Sequence, residues 1–392
     1  MASMPFRSET DRAQAAPARA HACPDGIAAG RWHETIDAGF TKQWQALSAA
    51  ASEPNPFYDQ WLLRPALEAF DPTGSVQLVQ FYADGELCGL IPLKMFGSYY
   101  GYPIPHLRGW LHDNAFCGLP LVKAGHERSF WTALLDWASA TCNTPLFLHL
   151  CHVPQDCALY HALHGVVSDK AYSASIVLNE DRAILKSELG PDAYFEGSMS
   201  GKKRKELRRQ ERRLSELGGL HFDRCTADDR LHDWIEDFLA LEKAGWKGRE
   251  GSALASDRAT AGFFRESLKS AAQEGTLERL SLALDGRPIA MLANFLVPPA
   301  AFSFKTAFDE DFARFSPGVL LQRHNLAILD RPDIDWTDSC AAADHPMIER
   351  IWREKRTILR VNIGIGGRIR QAVFNRMTRS ENGAKMMGSA DG

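Results

Sequence analysis

The sequence contains no CxxC pair, no run of the ~18 apolar residues that crosses a bilayer, and no large excess of either charge, and each absence removes a class of protein. Eight cysteines are scattered without repeated spacing (Cys23, Cys88, Cys117, Cys142, Cys151, Cys157, Cys225, Cys340), which reads as reduced thiols packed as small hydrophobes in a cytoplasmic protein. Residues 1–19 alternate charge, Ala and Pro, lack the apolar core of a secretory signal, and read as a flexible leader. A net charge of −4 excludes a surface given over entirely to nucleic acid. Peripheral contact with the inner face of a membrane stays compatible, because it needs only a basic or amphipathic surface.

What is present is core material: 45% of residues are apolar and 10% aromatic. A chain of 392 residues exceeds one ordinary core and predicts two domains. The pattern divides it into a leader over 1–30, an N-terminal domain over 31–175, a C-terminal domain over 176–375 and a flexible tail over 376–392. Both halves place helices before a hairpin turning at Asp-Gly (Asp84-Gly85 and Asp285-Gly286), then a strand and a helix. This shared grammar suggests internal duplication. The fold class is α/β (α+β), with mixed sheets flanked by helices.

Chemistry concentrates in the second half. A strand over 302–308, carrying Lys305, leads into Ser316-Pro317-Gly318-Val319 at the start of a helix. The first N–H groups of such a helix lack internal partners and carry partial positive charge, so they suit a phosphate. The same residues also read as a plain helix start, with Ser316 as cap and Pro317 in the first turn.

The helix over 202–213 carries eight basic residues, among them Lys203, Arg204 and Arg208, against Glu206 and Glu211. It reads either as a solvated face laced with ion pairs or as a dock for CoA phosphates, an acidic carrier protein or anionic lipid. Aromatics that would stack nucleic-acid bases are not interleaved with these charges.

Farther on, Asp338, Ser339, Cys340, Asp344 and His345 crowd a predicted strand-to-helix junction. A His with a pKa near ~6.5 suits removal of an ammonium proton, so His345 is the first candidate for general base, with Asp338 and Asp344 as orienting carboxylates. Asp344-His345-Pro346 also reads as a helix cap, and Cys340 as a nucleophile or as packing. Glu242, Trp246 and Lys247 form a second cluster, Glu242 as base or ammonium ligand and Lys247 as anion ligand. The loop over 99–119 offers Trp110, His112 and Asn114 as substrate contacts. His106 and His112 lack a third ligand at a zinc spacing, so no metal is predicted.

Four segments carry a resemblance: Gly201-Lys202-Lys203-Arg204 with Arg212-Arg213-Leu214, the stretch 241–253 through Gly245-Trp246-Lys247-Gly248, the Asp285-Gly286 hairpin, and Phe308-Asp309 with Ser316-Pro317-Gly318. Over about 175–360 the chain resembles GNAT-superfamily acyltransferases of the cellulose-biosynthesis (CelD-like) and FemAB-related type, including ceramide-synthase-like members. The resemblance implies tandem GNAT-like domains, no permanently bound cofactor, and a thioester donor (acyl-CoA or acyl carrier protein) lying along a splayed strand with its pyrophosphate at Ser316–Val319. It implies N-acylation of an amine, with a backbone N–H near Ala293 or Asn294 stabilising the oxyanion. Long-chain or sphingoid amines, amino sugars of a polysaccharide, aminoacyl-tRNA-dependent transfer and a non-catalytic binding module are the readings it leaves open. The phosphate loop departs from the usual glycine-rich GNAT form, which keeps the carrier protein open as donor.

Overall fold

The computed structural model describes residues 25–227 and 229–388. The first half comprises β1 (Gly26–Arg31), α1 (Trp32–Thr35), α2 (Ala38–Ala49), α3 (Gln60–Phe70), β2 (Gln77–Ala83), β3 (Glu86–Phe96), β4 (His106–Gly109), β5 (Leu121–Val122), α4 (Glu127–Thr141), β6 (Phe147–Pro154) and α5 (Ala158–Asp169). The second comprises β7 (Ala174–Leu185), α6 (Pro191–Ser198), α7 (Gly201–Ser215), β8 (Leu220–Cys225), α8 (Leu231–Ala244), α9 (Trp246–Arg249), α10 (Arg258–Gln273), β9 (Leu277–Leu284), β10 (Arg287–Val297), β11 (Ala300–Phe308), α11 (Pro317–Asn325), β12 (Trp336–Asp338), β13 (Glu354–Gly364) and α12 (Arg368–Gly388).

Among the described residues the strands form one mixed sheet, ordered β1-β2-β3-β4-β6-β13-β7-β12-β11-β10-β9-β8, with β5 beside β3. Read inward from either edge, an antiparallel meander ends in a parallel pair, β4 with β6 on one side and β11 with β12 on the other. The centre is exchanged. β7 pairs with β12 of the second half, β13 pairs with β6 of the first, and the two pair antiparallel with each other from Ala174↔Ile363 to Ile184↔Glu354. The sheets anticipated as two are therefore continuous, and a cut at residue 175 leaves β13 bonded to the other side.

Local chemistry accounts for the hairpins. Asp84-Gly85 and Asp285-Gly286 both take positive φ at each residue, the two-residue turn whose twist matches paired strands. The halves are fused by aromatic packing: α3 lies against α10, Trp61 meets Phe295 at 4.9 Å between ring centroids, and Phe57 meets Phe302 at 5.8 Å. These are buried rings, each contributing about 1.5–3 kcal/mol.

The leader predicted over 1–30 is ordered from Gly26, where β1 pairs with β2, and residues 1–24 lie outside the described residues. The tail predicted from 376 is helical through Gly388. No helix follows His345; residues 345–351 form turns, with Ile348, Ile351 and Trp352 buried beneath them. No helix of the described residues is long and apolar enough to cross a membrane.

Candidate functional site

The parallel pair β11–β12 is hydrogen-bonded only from Ala300↔Trp336 to Phe302↔Asp338. Beyond Phe302 the strands part, and a cleft of about 720 Å³ opens between Ser303–Phe308, the start of α11 and residues 339–350. The register of β11 against β10 skips Phe304, a bulge that changes the aim of the neighbouring Lys305. The splayed strand is β11. Ala293 and Asn294, predicted as the oxyanion strand, lie on β10 between two paired neighbours and are fully buried. The Asn294 amide instead donates to Glu278 at 2.9 Å and to Asn325 at 2.8 Å, tying β10 to β9 and α11.

Ser316 and Gly318 both line this cleft, with Pro317 and Val319. Ser316 sits in left-handed backbone (φ 54°) and its side chain does not cap, so the cap reading fails. Its carbonyl accepts from the N–H of Val319 and of Leu320, both at 3.0 Å, and Pro317 has no N–H. Among the described residues one first-turn donor, the Gly318 N–H, has no hydrogen-bond partner, fewer than the sequence suggested. A side chain at Gly318 would meet Met347 Sδ at 2.5 Å.

His345 lines the same cleft with Nδ1 unpartnered. Burial, then the nearby Lys247 charge, holds it below its ordinary value, so its neutral form prevails near neutral pH. Its predicted carboxylate partners are elsewhere. Asp344 is exposed, at φ 58°, with Lys355 at 3.8 Å. Asp338 is buried, accepts from the Cys340 N–H at 2.7 Å and lies 3.6 Å from Arg182. Cys340 reaches the cleft wall, but burial pushes its thiol well above the ordinary value, which suits packing rather than a thiolate.

A second cavity, of about 660 Å³, adjoins the first and shares Lys247 and Lys305 with it. Trp110, His112, Asn114 and Glu242 line it, so the substrate-contact residues predicted from the loop and from α8 meet here. Glu242 is occupied twice, by Lys247 Nζ at 2.7 Å and by the Leu254 N–H at 2.8 Å. Trp246, half exposed, lines the first cleft, its N–H donating to Glu310 at 2.6 Å. Burial and the Lys247 charge push the Lys305 ammonium down to about 8. His106 belongs to another environment, stacked on Phe96 and Phe147 and bonded to the Ile104 carbonyl, and does not approach His112's cavity.

The walls of both cavities come partly from the first half. The segment 110–119 is pinned by Tyr58 Oη on the Trp110 carbonyl at 3.0 Å, Asn55 on the Leu119 carbonyl at 2.6 Å, and the Gly118 N–H on the His152 carbonyl at 3.1 Å. Arg182 on β7 donates to the Phe116 carbonyl at 2.6 Å while facing Asp338. Phe116 and Arg182, absent from the sequence-derived set, thereby place the first half's loop over Lys305, whose Nζ lies 5.2 Å from the Phe116 ring.

The basic helix α7 lines neither cavity. Arg204 donates to the carbonyls of Glu196 and Met199 and closes the end of α6; Glu206 holds Arg209 and Glu211 holds Arg323. Lys203 and Arg208 are exposed.

Residues 201–345 match the acetyltransferase (GNAT) domain family, from the start of α7 to His345. No curated protein sequence matches the chain. Among solved structures, FemX is similar over 83% of this chain and 96% of its own at 12% identity, TM-score 0.55. The C-terminal domain of a putative lysylphosphatidylglycerol synthetase from Agrobacterium fabrum covers 87% of this chain and 96% of its own at 12% identity, TM-score 0.51. A conserved protein of unknown function from Bacteroides thetaiotaomicron covers 84% and 97% at 11% identity, TM-score 0.52. At such identities the likeness is one of fold, and the fold is a GNAT-like mixed α/β sheet flanked by helices.

Proposed function

We propose that the protein is an N-acyltransferase that binds an acyl thioester, acyl-CoA or acyl carrier protein, in the β11–α11 cleft and an amine in the second cavity. The observation that carries this reading is the shared wall: two adjoining cavities, one opened by the parting of β11 and β12, meet at Lys247 and Lys305.

In this reading the thioester carbonyl lies along β11 beyond Phe302, where backbone groups have no strand partner and an N–H can stabilise the oxyanion. The Gly318 N–H and the start of α11 take a phosphate of the donor. His345 removes the first ammonium proton, the amine attacks the carbonyl, the C–N bond forms and the C–S bond breaks. The second nitrogen proton goes to the departing thiolate, and the first leaves through His345 to solvent. Glu242, held by Lys247 and a backbone N–H, orients that lysine rather than acting as base.

Mass spectrometry after incubating the protein with acyl-CoA and acyl-carrier-protein donors from acetyl to C18, and with pooled amino acids, amino sugars, phosphoamines and sphingoid bases, tests the proposal. A new amide fixes reaction class and chain length together. Absence of any amide, joined to absence of donor binding, removes it.

A further inference from the structure

In the second cavity two of the three lining carboxylates are occupied, while several donors are free. Among its lining carboxylates, Glu242 is engaged by Lys247 and the Leu254 N–H, and Asp257 by the backbone and hydroxyl of Thr260 at the start of α10. Asp113 is exposed. Of the two lysines that line it, Lys247 is paired with Glu242, while Lys305 rests on the rings of Phe116 and Phe304, its Nζ at 5.2 and 5.7 Å from their centroids, without a carboxylate in contact among the described residues. Asn114 is 8% exposed, and among the described residues its side-chain amide has no hydrogen-bond partner. His112 Nδ1 accepts from the Asn114 N–H at 3.3 Å, which leaves the ring proton on Nε2, and Nε2 has no acceptor. Burial holds His112 neutral, at about 3, so this tautomer persists across the working pH range.

Resting on the acyl-transfer reading, we propose that the amine acceptor itself carries an anionic group, a carboxylate or a phosphate, seated on Lys305 and the Asn114 amide with His112 beside them. A half-buried ammonium on which Glu242 and Asp113 act only from beyond contact is costly, and a ligand that brings an anion into contact relieves it. An amine without the anion desolvates the same donors and leaves them unpaired, so the site selects by rejection as well as by attraction. The location fits the chemistry: Lys305 faces both cavities, so an anion held there puts an amine a few atoms away beside the donor cleft.

The test is calorimetric titration of the full chain at neutral pH with three amines of similar size: ethanolamine, β-alanine and O-phosphoethanolamine. At least one anionic probe is expected to bind roughly tenfold or more tightly than ethanolamine, about 1.4 kcal/mol. The stronger of the two identifies the group. Lys305→Met should erase the preference and Lys305→Arg restore it, with thermal melting showing both variants folded; Asn114→Ala should reduce it. Equal binding of all three amines, no binding of either anionic probe, or a preference that survives in folded Lys305→Met overturns the inference. The failures are separable. Amide formation that favours neutral sphingoid bases refutes the anion site and leaves acyl transfer standing, whereas Lys305-dependent anion binding without amide formation from any thioester does the reverse.

Discussion

Gly118→Ala asks whether the first half of the chain truly holds the acceptor cavity of the second. Gly118 is buried against β6, and its backbone does not occupy the left-handed region, so an alanine is opposed by space alone. A Cβ there would lie 2.2 Å from the Cys151 carbonyl oxygen and 3.0 Å from Leu111 Cδ1. Carbon–oxygen contacts settle at roughly 3.3 Å or more, so the segment must retreat by about 1 Å. The obstacle is backbone in a central strand and cannot swing aside. Overpacking of this kind costs about 1–3 kcal/mol, a fall of a few degrees in melting temperature. The functional loss is larger, because Trp110, His112, Asn114 and Phe116 travel with the segment, and about 1 Å of misplacement costs on the order of 100-fold in rate. Donor binding at α11 should be spared. Differential scanning fluorimetry, donor titration and kcat/KM for amide formation separate these effects. A variant that melts and transfers like the parent shows that the segment is not anchored there, and equal loss of donor and acceptor binding refutes the division between cavities.

His345→Gln should lower kcat by at least ~100-fold while donor affinity and melting stay unchanged, and retained turnover would remove His345 as base. The pH profile carries two limbs. His345 must be neutral and its pKa lies below its ordinary value, so the rate rises with pH through a midpoint below that of a free imidazole; Lys305 loses its proton near about 8, so acceptor affinity falls above that. Lys305→Arg should shift the upper limb alkaline, and a limb that stays in place assigns it to another group. Gly318→Val pushes against Met347 and covers the N–H, with roughly tenfold weaker donor binding expected; unchanged affinity would detach the donor phosphate from α11. Lys203→Glu with Arg208→Glu should weaken transfer from acyl carrier protein in a salt-dependent way and leave transfer from acyl-CoA intact, since both residues are exposed and neither lines a cavity. Equal loss with both donors would place α7 on CoA.

The local order of this fold is readable from the sequence where one residue type has one conformational consequence. Asp-Gly pairs mark both hairpins, Ser200 caps α7 by accepting from the Lys203 N–H at 3.4 Å, and Pro317 opens α11. Partnership is not readable in the same way. The residues of β7 are equally consistent with pairing to either half, and nothing in them marks the exchange with β13. The helix expected after His345 fails because Cys340 and Asp344 both adopt positive φ and the following apolar residues are drawn into turns over the core. Phe116 and Arg182 escape sequence reading because their bond spans 66 residues and neither side chain advertises it.

The two halves share this strand layout, and the difference between their parallel pairs explains why one fork remains open. Each half ends its meander in a parallel pair, and in each a helix lies along the chain between the two strands of that pair, so each half has a fork of the kind proposed for the donor. In the first half the opening beyond Arg108 is filled by the chain itself, with Gly118 against the Cys151 carbonyl and its N–H on His152. The corresponding helix, α4, begins with Glu127, whose carboxylate accepts from the Gly125 N–H, and a carboxylate in the first turn repels a phosphate. In α11 the first turn has no acid, and the Gly318 N–H has no partner among the described residues. The segment that closes the first fork then continues over the second and supplies Asn114, Phe116 and His112 to its cavities. Closing one site and furnishing the other are thus a single structural event, which is why a methyl group at Gly118, far along the chain from Lys305, is expected to disturb acceptor binding while leaving the donor helix in place.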